Sequence, residues 1–198
     1  MEHMRKGIML KEKIKNKLIE QFVPVIQSFD EEDIYVISFF VYDFEDNPCK
    51  PTVTLGYNTE EEVAKNLCYF DEQEVRWNYA CWMQNQESIF GYDKNTKDLL
   101  REWILENNLP YVEHYNPYDT TTESVHELEK ITEGFVEILI EVVKEIHKSG
   151  VIKEKLGRNI PILIHELEYY DEIAKQNIEA NGLELVKSFV NYINSLYF

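Results

Sequence analysis

Histidine and carboxylates fall together at one place in the chain, His165-Glu166, with Glu168, Asp171 and Glu172 just beyond. General acid–base catalysis needs such groups, provided that at least two of them converge in an enclosed cleft with shifted pKa values. An enzyme built on this pattern would use His165, Glu166 and Asp171 around one end of a sheet. The run HELEY lacks the second histidine of HExxH and falls on a predicted strand, so the zinc-protease pattern is excluded. The plainer reading is a buried histidine at a strand end, satisfied by a backbone carbonyl. Nucleophile chemistry has less support. There is no GxSxG and no glycine-rich phosphate loop, and Cys68 and Cys81 sit in apolar surroundings where a thiol acts as a small hydrophobe. No catalytic residue, metal ligand or cofactor is assigned.

Two patterns point instead to recognition. Glu129, Glu133, Glu137, Glu141 and Glu145 follow one another at intervals of four, which places them along one stripe of a helix. The stripe is either a solvated helix back or an acidic ridge presented to a basic partner. It is not a metal site, because hard cations need carboxylates that converge and these point outward. The second pattern is Trp77, Tyr79 and Trp82. On a strand Trp77 and Tyr79 share a face while Trp82 opposes them, so the pair of tryptophans would straddle a sheet. Core packing is one reading. An exposed aromatic anchor is the other, since tryptophan and tyrosine are enriched at binding hot spots. The candidate partner-binding residues are therefore Glu129, Glu133, Glu137, Glu141, Trp77 and Trp82.

The elements that must position these residues follow from periodicity. Arg5–Gln27 predicts an amphipathic helix, bent or ended near Pro24. Ile34–Tyr42 (IYVISFFVY) is too apolar for an exposed face and predicts a buried strand, paired through a loop with Thr52–Tyr57. Asn58 or Thr59 caps a short helix running to Leu67. Glu74–Met83 predicts a third strand, Asp93–Asn107 a helix capped by Asn95 or Thr96, and Thr122–Gly150 the longest helix, opened by a threonine-rich cap. Ile160–Leu167 predicts the last strand, and Glu168–Ala180 and Leu183–Tyr197 two closing helices. The fold class is α+β: a small, mainly antiparallel sheet of about four strands with about six helices packed on it. A single domain spanning residues 1–198 is expected, since seven glycines and six prolines leave little material for linkers.

Composition narrows the partners. The formal net charge is −17, and −12 of it lies between residues 51 and 150. Such a surface repels nucleic acid and anionic membranes, so neither is expected as a partner, while a basic protein is. Three cysteines without CxxC spacing support neither a disulfide framework nor a zinc knuckle. With no secretory signal pattern and no long apolar run, a cytoplasmic location is expected.

Several segments together resemble a bacterial family known only as a domain of unknown function. They are Asp33–Tyr42, Tyr57-Asn58-Thr59-Glu60-Glu61, Val75-Arg76-Trp77 with Trp82, and Ile146–Gly150, followed by Ile160–Glu168 and Asn181-Gly182 before a terminal helix. The resemblance covers most of residues 30–195. It implies a small acidic cytoplasmic protein of a kind often encoded beside toxins as an immunity partner, and it transfers no catalytic residue. The function expected first is thus a non-enzymatic binding module that steers onto a basic, toxin-like protein. A structural or regulatory subunit of an oligomer ranks second, and the His165-centred enzyme third.

Overall fold

The apolar run IYVISFFVY becomes one of the two inner strands of a four-stranded sheet, buried on both faces over most of its length as its composition requires. The structure is a computed structural model. It describes residues 2–83, 85–116, 118 and 122–197, with the backbone alone at 2–5 and 122–125. The strands are β1 (Ile34–Asp43), β2 (Pro51–Thr59), β3 (Glu87–Phe90) and β4 (Ile162–His165), in the order β3-β2-β1-β4. β2 pairs antiparallel with both β1 and β3, whereas β4 lies parallel to β1. The sheet is therefore mixed, which corrects the mainly antiparallel arrangement expected. A parallel partner needs a long crossover, here more than a hundred residues that include α5, and no local pattern announces such a pairing.

Eight α-helices occur among the described residues, against about six expected. They are α1 (Glu2–Ser28), α2 (Glu60–Asn66), α3 (Glu72–Trp77), α4 (Lys94–Glu106), α5 (Thr122–Ser149), α6 (Val151–Leu156), α7 (Asp171–Asn181) and α8 (Leu183–Ser195). The third strand expected over Glu74–Met83 is instead α3 followed by a 3₁₀ turn, Tyr79–Cys81. The Asp71 carboxylate caps α3 by accepting from the backbone N–H groups of Gln73 and Glu74, and acidic residues fill the first turn. That capping chemistry outweighs the β-propensity of Val75 and Trp77. The third strand lies later, at Glu87–Phe90, a four-residue edge too short and polar to stand out. Thr59 caps α2 as expected, but Asp93, not Asn95 or Thr96, caps α4. The α1 helix continues past Pro24 to Ser28. The threonine-rich cap expected before α5 lies largely outside the described residues.

Strand alternation divides the core in two. Ile37, Phe39 and Val41 of β1, with Ile162 and Ile164 of β4, join the larger cluster, into which α1, α4 and α5 pack Phe22, Ile104 and Phe135. Val36 and Leu163 join the smaller one, built on Trp77, Phe189 and Ile173 from α3, α8 and α7. The outer edge of β4 is closed by side chains. Asn177 and Asn181, one turn apart on α7, each hold both the backbone N–H and C=O of a β4 residue, Ile164 and Ile162 respectively. An edge whose polar groups are met this way offers no ladder to another strand.

Candidate functional site

Alternation along β1 and β4 carries through to their ends and sorts the polar residues there by face. Ser38, Phe40 and His165 continue the small-cluster side, whereas Asp43 and Glu166 continue the side of α5. Two clefts result, separated by Leu167, which lines both and holds a left-handed backbone at φ 74°.

The first cleft, of about 470 Å³, has the buried Ser38 and His165 at its floor. His165 Nε2 lies 2.7 Å from Ser38 Oγ, and the Leu167 backbone N–H approaches Nδ1 at 3.4 Å. The imidazole is stacked between Phe40 and Tyr79, with centroids at 5.6 and 3.8 Å, and Tyr79 stacks in turn on Tyr169 at 4.6 Å. Burial alone pushes the His165 pKa down to about 3, so the ring is neutral throughout the physiological range. The Tyr79 hydroxyl is buried without a hydrogen-bond partner among the described residues, and burial drives its pKa upward. Trp82 stands edge-on to both Tyr79 and His165.

The second cleft, of about 380 Å³, is lined by Phe40, Val41, Tyr42 and Asp43 at the end of β1, Asp46 just after it, Thr132 of α5, and Glu166 and Leu167 after β4. None of the described residues lining it is basic. Burial raises the Asp43 pKa to about 6 against the pull of the Thr132 hydroxyl, and the Asp46 charge adds to the rise. One Asp43 carboxylate oxygen is buried with no partner among the described residues. Glu166 is raised as well, by burial first and by Asp43 second. The acidic surface extends around this opening. Burial holds the Tyr170 phenol up at about 12, followed by the charges of Glu166, Glu168, Glu172 and Glu129. Tyr42, Leu167 and Tyr170 are all exposed beside these carboxylates.

The glutamate stripe is not uniform. Glu141 accepts from Lys11 at 2.7 Å and meets Lys15 at 3.2 Å, and Glu145 approaches Lys15 at 3.8 Å, so α1 neutralises the C-terminal part of the stripe. Glu129, near His126, and Glu133 and Glu137 are exposed, and Glu133 and Glu137 have no ion pair with a described residue. Periodicity made the stripe visible but could not show which part α1 covers.

Trp77 and Trp82 are 4% and 8% exposed and belong to the smaller core cluster. Trp77 Nε1–H donates to Ser188 and Trp82 Nε1–H to the Arg76 carbonyl. Of the two readings offered by sequence, core packing is the one the structure takes, and neither indole is an exposed anchor. His165, Glu166 and Asp171 are not brought together either: the first two line different clefts, and Asp171 is exposed in the first turn of α7. No group of three or more metal-ligating side chains gathers among the described residues, and no helix there is long and apolar enough to cross a membrane. Sequence reasoning missed Asp43, Ser38, Tyr42 and Tyr170. The alternation of β1, extended past its apolar run, was the available signal for Asp43. Comparison of the chain with family models, with curated proteins and with solved structures found no match.

Proposed function

We propose that this chain is a non-enzymatic protein-binding module of the immunity type, whose acidic surface captures a basic, toxin-like protein. The observation that carries the reading is the second cleft, where Asp43 keeps a buried carboxylate oxygen without a partner among the described residues, beside Glu166. Two carboxyl groups held up by burial, Asp43 further by Asp46 and Glu166 further by Asp43, gain from a cation more than exposed ones do, because water screens them less. A lysine or arginine side chain entering the cleft supplies that cation. Around it, Glu129, Glu133 and Glu137 provide long-range attraction that steers encounter, and Tyr42, Leu167 and Tyr170 provide contact area in place of the buried tryptophans. The enzyme reading loses its basis because His165 and Glu166 line different clefts.

The test is association with the basic proteins encoded beside the chain, followed by surface plasmon resonance at increasing salt. The association rate should fall with salt, fall again in the double variant Glu133→Gln/Glu137→Gln, and the affinity should drop in Asp43→Asn. Binding that ignores both salt and these substitutions, or no binding to any such protein, refutes the proposal.

A further inference from the structure

The cleft over Ser38 and His165 plays no part in the acidic surface, and its chemistry is of another kind. Charged residues make up 29% of the chain, yet none of the described residues lining this cleft carries a charge. His165 supplies none either, because burial keeps it neutral. An anion would meet no cation there, inside a molecule of net charge −17. A cation would meet no carboxylate among the described lining residues. Cations bind to ring faces, but both faces of His165 and of Tyr79 are already covered in the column Phe40–His165–Tyr79–Tyr169. The cleft suits an uncharged guest.

Hydrogen-bond bookkeeping says which atoms the guest must offer. The Leu167 N–H points its proton at Nδ1 of His165, so Nε2 carries the ring proton and donates to Ser38 Oγ. The Ser38 hydroxyl hydrogen then has no acceptor among the described residues. Asn78 is placed similarly: its Oδ1 accepts from the Ala80 N–H, while its NH₂ has no acceptor there. A second lining amide, Asn85, is spent on the backbone N–H and C=O of Tyr57, an approach that Gly56 permits because a Cβ there would sit 3.0 Å from Asn85 Oδ1. Ser38 and Asn78 thus each keep an unspent donor on the floor and wall of a cavity large enough for a small ring compound, while the Gln86 amide is exposed at the rim and the Tyr79 hydroxyl, without a partner among the described residues, is buried.

We infer that this cleft binds an uncharged, planar molecule bearing a carboxamide or lactam carbonyl, whose oxygen accepts from the Ser38 hydroxyl and the Asn78 amide. The cleft lies over the parallel pair β1–β4, with Ser38 inside β1 and His165 the last residue of β4. Because it lies across Leu167 from the acidic cleft, it stands or falls independently of the partner proposed above.

Three probes of one shape and different charge test it: benzamide, benzoate and benzylamine, titrated into the intact chain and followed by the indole N–H resonance of Trp82. Benzamide should bind, and both charged analogues should bind about tenfold more weakly or worse. Ser38→Ala should weaken benzamide about fivefold to tenfold, the usual cost of one hydrogen bond. Ala80→Phe, at an exposed position on the rim, should block the cleft without disturbing the core, and the amide spectrum of each variant reports its fold. No binding of benzamide, equal binding of all three probes, or unchanged affinity in both folded variants overturns the inference.

Discussion

His165 and Glu166 are adjacent in the chain, yet the protein treats their polarity in opposite ways. The His165 side chain faces the small core, where stacked rings cover both its faces and Ser38 meets its proton. Glu166 faces α5, where it shares an opening with Asp43 and no described cation. One region is neutral and satisfies its histidine within the fold; the other holds charge that the described residues leave unmet. The difference teaches that a strand end can carry two independent surfaces one residue apart, because successive side chains point to opposite faces. A polar group satisfied within the fold is part of the architecture. A group left wanting is where a partner gains most.

The largest effect expected lies on the satisfied side. Trp77→Ala should destabilise the fold by about 3–5 kcal/mol in urea unfolding, as the loss of a buried indole does. An interface tryptophan would instead leave the midpoint unchanged, and that outcome would reverse the assignment of Trp77 to the core. Next comes the unmet side. Asp43 has its pKa raised to about 6 in the fold, so its contribution to stability is fully present below the ordinary carboxylate value and is lost as pH rises through about 6. Asp43→Asn should therefore stabilise the protein at pH 7.5 by up to about 3 kcal/mol, the equivalent of a shift of about 2 units. The Tm advantage of the variant over wild type should vanish by about pH 4. In the same window, affinity for a basic partner should fall as pH drops through about 6, because the protonated carboxyl no longer attracts a cation.

His165 gives the opposite slope and so sharpens the contrast. Its pKa is pushed down to about 3, so the stability it contributes is present above about pH 6.5, the usual histidine value, and is lost progressively as pH falls toward 3. A smaller effect is expected at Tyr79, whose buried hydroxyl lacks a partner among the described residues: Tyr79→Phe should raise stability by roughly 1 kcal/mol in thermal unfolding. A fall in Tm there would mean that the hydroxyl is used, and the small cluster would then be less self-contained than described. The smallest effect on stability belongs to Glu133→Gln/Glu137→Gln, within about 0.5 kcal/mol of wild type. Any slowing of association by this pair would come from the unmet surface alone.

Much of the frame was legible in the residues. The run Ile34–Tyr42 could only be a strand buried on both faces, and the 3.6-residue period of Leu128, Ile131, Phe135, Ile138, Leu139, Val142 and Ile146 could only be a buried helix stripe. Glu74–Met83 misled because a short segment rich in aromatic residues satisfies strand propensity, while its helical character rests on a cap outside it, Asp71. The site was legible only in part. His165 stood out by type and the glutamates by spacing, but Ser38 lies 127 positions from His165 in the chain. No local pattern announces such a contact.

The sequence by itself determined the longer elements, the acidity and the periodicities, because each depends on neighbours within a turn of helix or a few residues of strand. Only the tertiary structure decided the parallel pairing of β4, the burial of Trp77 and Trp82, and the neutralising of Glu141 by Lys11 and Lys15. It also set Asp43 and Glu166 in one cleft with no cation among the described lining residues. Each of these depends on long-range contacts: which face meets which helix, and whether a charge finds its opposite there, is settled by the packing of segments far apart in the chain.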